Sequence, residues 1–143
     1  MSIALGALFT VMELRGMSRD RKTHLVLDVF NHVTTTDYMG HWAKIRDTEF
    51  KDGKDAEDRC SLASIALIAC YTDAIALLIR RKLVDPELIF DLIDFDLVWK
   101  RLGPWVQYQR ERYNEYFFEN LEPAAEKNIE YARARKASRE PGV

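Results

Sequence analysis

The stretch SLASIALIACYTDAIALLI, Ser61 to Ile79, decides the fold. It approaches the roughly 20 residues that cross a bilayer as a helix, but it carries Tyr71, Thr72 and Asp73 beyond its middle. A charge at that depth costs at least about 3 kcal/mol in lipid. Small residues recur at Ala63, Ala66, Cys70 and Ala74, as they do where other helices pack closely on a central one. The stretch therefore reads as the buried hub of a water-soluble helical bundle, with a membrane span as the alternative. Asp55 followed by Asp58 supplies an N-terminal cap. The spacing predicts one helix from Ala56 to Lys82, the longest element of the chain.

Working outward, Asp85-Pro86-Glu87 is a helix start: a capping carboxylate, a proline whose missing N–H is not needed there, and an acid facing the helix dipole. That helix is expected to continue through Leu92 and Trp99 and to stop at Gly103, with Pro104 opening the next. Pro123 then divides Trp105 to Ala137 into two helices or kinks it, with Asn120 as the cap of the second piece. On the N-terminal side, a helix over Ile3 to Arg15 is weakened at Gly16. Ser18 caps a second helix over Arg19 to Val33, unless the two form one bent helix, since a single glycine costs only about 1 kcal/mol. The threonines Thr34 to Thr36 interrupt this pattern. Thr36 caps a short helix that aligns Tyr38, Trp42 and Ile45 on one face, and Phe50 to Lys54 forms a loop. The expectation is an all-α, single-domain bundle of five to seven helices around a long central apolar helix: an apolar N-terminal helix over 1–16, the bundle over 17–137 and a frayed tail over 138–143.

A chain of 143 residues with 48% apolar and 31% charged content suits one globular domain. A net charge of −2 gives no general attraction to nucleic acid, and the basic residues Arg133, Arg135, Lys136 and Arg139 are interleaved with Glu130 and Glu140. Cys60 and Cys70, placed in one helix, lie roughly 15 Å apart at about 1.5 Å per residue, too far for a disulfide. They are expected to be buried thiols, in keeping with a cytoplasmic location.

Candidate chemistry is weak against its structural alternatives. Asp20, His24, Asp28 and His32 repeat every four residues, a row able to offer ligands to a divalent metal, yet the apolar face of that helix points away from it. Glu87, Asp91 and Asp94 form an acidic face that a basic partner would recognise. The densest constellation is Trp105, Gln109, Tyr113, Tyr116 and Phe117 with Arg112 at the edge. It is either a core whose polar tips find partners at the rim, or a wall for a planar or anionic ligand. Asp73, a carboxylate inside the hub, needs a partner, with Arg110 or Arg112 to supply it. No Gly-rich phosphate loop, Cys-x-x-Cys or nucleophile elbow is present. No metal, cofactor or catalytic role is expected.

The order Arg15 to Lys22, Tyr38 to Trp42, Leu83-Val84-Asp85-Pro86-Glu87-Leu88, Trp99-Lys100-Arg101-Leu102-Gly103-Pro104, Arg110 and Tyr116-Phe117-Phe118-Glu119 resembles a bacterial family of small helical proteins, domain of unknown function number 4760. The resemblance implies a helical domain without a known activity, preceded by one membrane span of which Ile3 to Leu14 would be the cytoplasmic end.

Together these readings point to a non-catalytic interaction or regulatory module that self-associates, a dimer being favoured. Its adhesive element is the first helix through Ile3, Leu5, Leu8, Phe9 and Met12, too apolar a set to stay solvated. That helix pairs with another chain or makes peripheral contact with the inner face of a membrane. The second reading is a small-molecule-binding bundle using Asp73, Trp105, Gln109, Arg112, Tyr113 and Tyr116.

Overall fold

The computed structural model describes residues 2–139, with side chains from Gly16 to Arg139. Among the described residues there are seven helices and no strands: α1 (Ser2–Val33), α2 (Thr36–Arg46), α3 (Gly53–Arg59), α4 (Leu62–Arg80), α5 (Pro86–Leu92), α6 (Phe95–Arg112) and α7 (Leu121–Arg139). The expected all-α bundle is the fold. Its element boundaries depart from expectation at four places.

The first is α1, where the single-helix alternative holds: it runs for 32 residues and, rather than the hub, is the longest of the described helices. Gly16 is interior to it, where a glycine costs only about 1 kcal/mol of conformational entropy relative to alanine. The second is the hub, which does not begin at Ala56. Asp52 caps α3 by accepting from the Asp55 N–H at 2.8 Å, so the loop after Phe50 ends at Asp52. Cys60 is extended, with φ −121° and ψ 145°, and Ser61 caps α4 by accepting from the Ser64 N–H at 3.2 Å. A serine competes with helix propagation by offering its own oxygen to the backbone, and here that competition divides one expected helix into two.

The third departure is at Asp94. Ile93 is extended and the Asp94 carboxylate accepts from the Leu97 N–H at 3.0 Å, ending α5 and starting α6 ten residues before the expected stop. Gly103 and Pro104 lie inside α6. The ring of a proline clashes with the Cβ and N–H of the preceding residue in a helix. Glycine has no Cβ, so Gly103 removes most of that clash, and it lies against the ring of Trp99 instead. The fourth is the break after α6, which falls at Tyr113 to Asn120 rather than at Pro123. Pro123 occupies the first turn of α7, where no intrahelical N–H is needed. Of the tail expected to fray, Ser138 and Arg139 are helical and residues 140–143 lie outside the described ones.

The core is built from α4 (Ile65, Ile68, Ala69, Ile75), α6 (Phe95, Val98, Leu102, Val106), α2 (Tyr38, Ile45) and the start of α7 (Leu121, Ala124, Ala125). Both α4 and α6 touch α2, α3 and α7 as well as each other, so the centre is shared by two helices. Gly53 explains how closely α3 sits on α6. A Cβ there would fall 2.1 Å from the Cβ of Tyr108, a separation only glycine permits.

Candidate interaction surfaces

The aromatic constellation divides, with Trp105 and Gln109 in the core and Tyr113 and Tyr116 outside it. Trp105 is 2% exposed and its indole N–H donates to Glu57 Oε1 at 3.1 Å, as does the Gln109 amide at 2.8 Å. That carboxylate, on α3, satisfies the two polar tips of α6 within a filled core. Tyr113 and Tyr116 lie beyond the end of α6 and are 71% and 66% exposed. Arg112 turns outward to the Tyr108 hydroxyl and lies over the Tyr108 ring at 4.8 Å. The helical spacing that aligned these residues fails because α6 ends at Arg112. Asn114 provides the missing signal, its side chain accepting from the Tyr116 N–H at 2.9 Å, an Asx turn that competes with the helix.

Asp73 finds neither arginine. Its two oxygens accept from the backbone and side-chain N–H groups of Asn120, each at 3.0 Å. Asn120 therefore precedes α7 as expected, but its amide ties α7 to α4 instead of capping. Its own Oδ1 is buried without a partner among the described residues. Arg110 instead donates to the carbonyls of Phe117 and Phe118 at 2.9 and 3.2 Å and pairs with Glu122. The connecting turn, in which Phe118 has φ 52°, is thus held from both α6 and α4.

The histidine row does not gather ligands. Asp20, His24 and Asp28 are exposed, and His32 stacks on Tyr71 with ring centroids 3.9 Å apart. Among the described residues no group of His, Cys, Asp or Glu is arranged to hold a metal. The acidic face is also dispersed. Asp91 pairs with Arg135 and accepts from the Tyr131 hydroxyl at 3.1 Å, Asp94 caps α6, and Glu87 is exposed. For Asp91 the basic partner is α7 of the same chain. Beside this pair runs an open groove of about 560 Å³ between α5 and α7, lined by Phe90, Asp91, Asp94, Tyr131, Arg135 and Lys136 among others.

One polar chain was not anticipated from the sequence. His41 Nδ1 lies 2.7 Å from Ser64 Oγ, Ser64 Oγ lies 2.7 Å from Ser61 Oγ, and His41 Nε2 lies 3.4 Å from Asp37. This is the residue set of a serine nucleophile with its base and acid, but Ser64 is 3% exposed and its hydroxyl is turned into the bundle. Its effect is to tie α2 to the N-terminus of α4.

The side chains of Ile3, Leu5, Leu8, Phe9 and Met12 lie outside the described ones. From Gly16 to His24 every residue of α1 is exposed, and those packed on the bundle are Leu25, Val26, Val29 and Val33. Helix α4 is long and apolar enough to cross a membrane by length and composition, yet only 44% of it is buried. Its uncovered side presents Ala63, Leu67, Cys70 and Ala74. The expected pair of buried thiols is thus corrected: Cys60 is buried and Cys70 exposed, and both are free. Partial burial and the nearby Asp73 push the Cys70 thiol above its ordinary value.

No curated protein and no solved structure matches this chain significantly. A family model does match, and it spans α1 to α6 and the first third of α7. Over residues 1–127 the chain belongs to the family described as Domain of unknown function (DUF4760).

Proposed function

We propose that this chain is a non-catalytic interaction module that self-associates, with the N-terminal half of α1 as its adhesive element. The observation that carries the reading is the anchoring of α1, a 32-residue helix in which, among the described side chains, those packed on the bundle lie between Leu25 and Val33 and those from Met17 to His24 are exposed. A helix in water draws most of its stability from burying one face, and the run from Ile3 to Met12 is apolar apart from Thr10. A second surface therefore has to cover it. A second copy of the chain, giving a dimer, is favoured over a protein of another kind, and contact with the inner face of a membrane is the variant in which lipid does the covering. The reading places the module in the cytoplasm.

The test is molar mass by light scattering, without detergent, for the full chain and for a chain beginning at Ser18. A full chain of twice the monomer mass or more, beside a folded monomeric truncation, is the expected result. Two monomers of equal stability would remove the reading.

A further inference from the structure

We infer that the cleft between α7 and the α5–α6 junction binds a small organic phosphate, its phosphate held along α7 and its body lodged against Phe90 and Tyr131. The inference does not rest on self-association. The groove of about 560 Å³ beside the Asp91–Arg135 pair lies next to a second hollow of about 310 Å³ at the first turn of α6. Asn128, Ala132 and Lys136 line both. They follow one another at intervals of four, which sets them in one row along α7. The two hollows are therefore halves of one cleft with this row as its floor, and the larger half alone falls within the roughly 300 to 1,000 Å³ of small-molecule sites.

The floor carries an unused donor. Asn128 is 7% exposed, and its Oδ1 accepts from the Asp96 N–H at 3.4 Å. That bond fixes which way the amide is turned and leaves Nδ2 without a partner among the described residues. The Asn120 Oδ1 is sealed inside the protein, whereas the Asn128 Nδ2 is not, and the surface that Asn128 reaches is the cleft. A buried amide loses stability for each hydrogen bond it leaves unmade, so the partner of this one has to come through the cleft.

The charges sort in the same way. Of the acids lining the cleft, Asp91 pairs with Arg135, Asp94 accepts from the Leu97 N–H at 3.0 Å, and Asp96 accepts from Lys100 Nζ at 2.6 Å. Of the bases, Arg133, Lys136 and Arg139 pair with no carboxylate among the described residues. With every acid engaged and three cations left over, the cleft selects an anion. Helical side chains lean toward the N-terminus of their helix, which aims Lys136 and Arg139 back over Ala132 toward the Asn128 amide. Ala132, with only a methyl group, leaves the room between them. A phosphate ester suits this set, offering three terminal oxygens to cations and amide and a fourth that carries its body. Phe90 and Tyr131, with ring centroids 5.7 Å apart, supply an aromatic wall on which a flat body packs.

Cations in the last turn of a helix also complement its dipole, so the test reads ligand rather than stability. The full chain, isotope-labelled, is titrated with phenyl phosphate, inorganic phosphate and benzyl alcohol while the Asn128 side-chain amide is followed by NMR. Phenyl phosphate is expected to shift it saturably, inorganic phosphate to bind about tenfold more weakly or worse, and benzyl alcohol to leave it in place. Lys136→Ala combined with Arg139→Ala, both at exposed positions, is expected to weaken phenyl phosphate about tenfold or more with the circular dichroism unchanged. Ala132→Leu keeps every charge but fills the row, and is expected to abolish the shift. Lys127→Ala, on α7 outside the cleft, is expected to alter nothing. The site is overturned by a shift that survives Ala132→Leu, by one that inorganic phosphate or benzyl alcohol produces equally well, or by the absence of saturation up to about 10 mM.

Discussion

Helices α4 and α6 are nearly equal in length, 19 and 18 residues, and both run through the middle of the bundle, yet they solve the burial problem in opposite ways. Helix α6 is amphipathic. Its buried set, Phe95, Val98, Leu102, Trp105, Val106 and Gln109, recurs at helical spacing, and Lys100, Gln107 and Glu111 face water. Helix α4 is apolar all round, so the neighbours that cover its Ile65, Ile68, Ile75 and Ile79 leave an equally apolar side bare. The pattern around the helix, rather than its overall hydropathy, decides what a small domain can cover.

The contrast is broken most directly by truncation at matched leucines. Leu102→Ala in α6 removes a fully buried side chain and is expected to cost about 3 to 4 kcal/mol in urea unfolding. Leu67→Ala in α4 is expected to cost less than about 0.5 kcal/mol when measured at a concentration where the chain is monomeric. Equal losses would mean that α4 is covered within the monomer. Next in size is Gly53→Ala. The new methyl meets the Tyr108 Cβ on the closely packed side of α6, and a loss of about 3 kcal/mol is expected. A loss below 1 would show that α3 moves away freely.

A third variant sharpens the comparison by probing how α6 keeps polar groups inside. Glu57→Ala leaves the Trp105 and Gln109 donors unpaired and is expected to cost about 2 kcal/mol, with Glu57→Gln recovering much of it. The smallest effect lies on α2, against α4. Burial, and then the neighbouring Tyr71, hold the Tyr38 hydroxyl well above its ordinary value of 10.0. The folded chain therefore retains a proton that the unfolded chain has lost, and stability falls as pH rises beyond about 10. Tyr38→Phe is expected to flatten that alkaline decline and to leave neutral stability nearly unchanged. An unaltered alkaline limb would assign it to Tyr71 or another group.

Much of the fold was legible from residues that have one local option. Asp85 before Pro86 starts a helix and nothing else, and it does so here, accepting from the Glu87 N–H at 3.0 Å. The Tyr38, Trp42, Ile45 stripe of α2 faces the core as its spacing implies, with Trp42 partly buried and the other two fully so. Legibility ended where two residues offered the same service. Asp52, Asp55 and Ser61 are all competent caps within ten residues, and the chain uses Asp52 and Ser61. Gly103-Pro104 carries every mark of a helix end, but glycine's missing Cβ is also what lets a helix pass through proline. The aromatic constellation depended on a helical register that Asn114 ends. The uncovered side of α4 had no local signal at all, because covering a face is a property of its neighbours.

The Asp73–Asn120 tie has a consequence for the birth of the chain. The two residues are 47 positions apart, so α4 leaves the ribosome well before α7 exists to bond it. During that interval the most apolar helix of the protein travels without its cover, and the translocation machinery samples it as it samples any emerging segment. A carboxylate at a helix centre costs about 2.5 to 3.5 kcal/mol on insertion, which offsets much of what the apolar side chains of the segment would gain there. Until Asn120 is made, Asp73 is a carboxylate without that partner on the most apolar of the described helices; once it arrives, the same carboxylate becomes the knot that fastens α7 to α4.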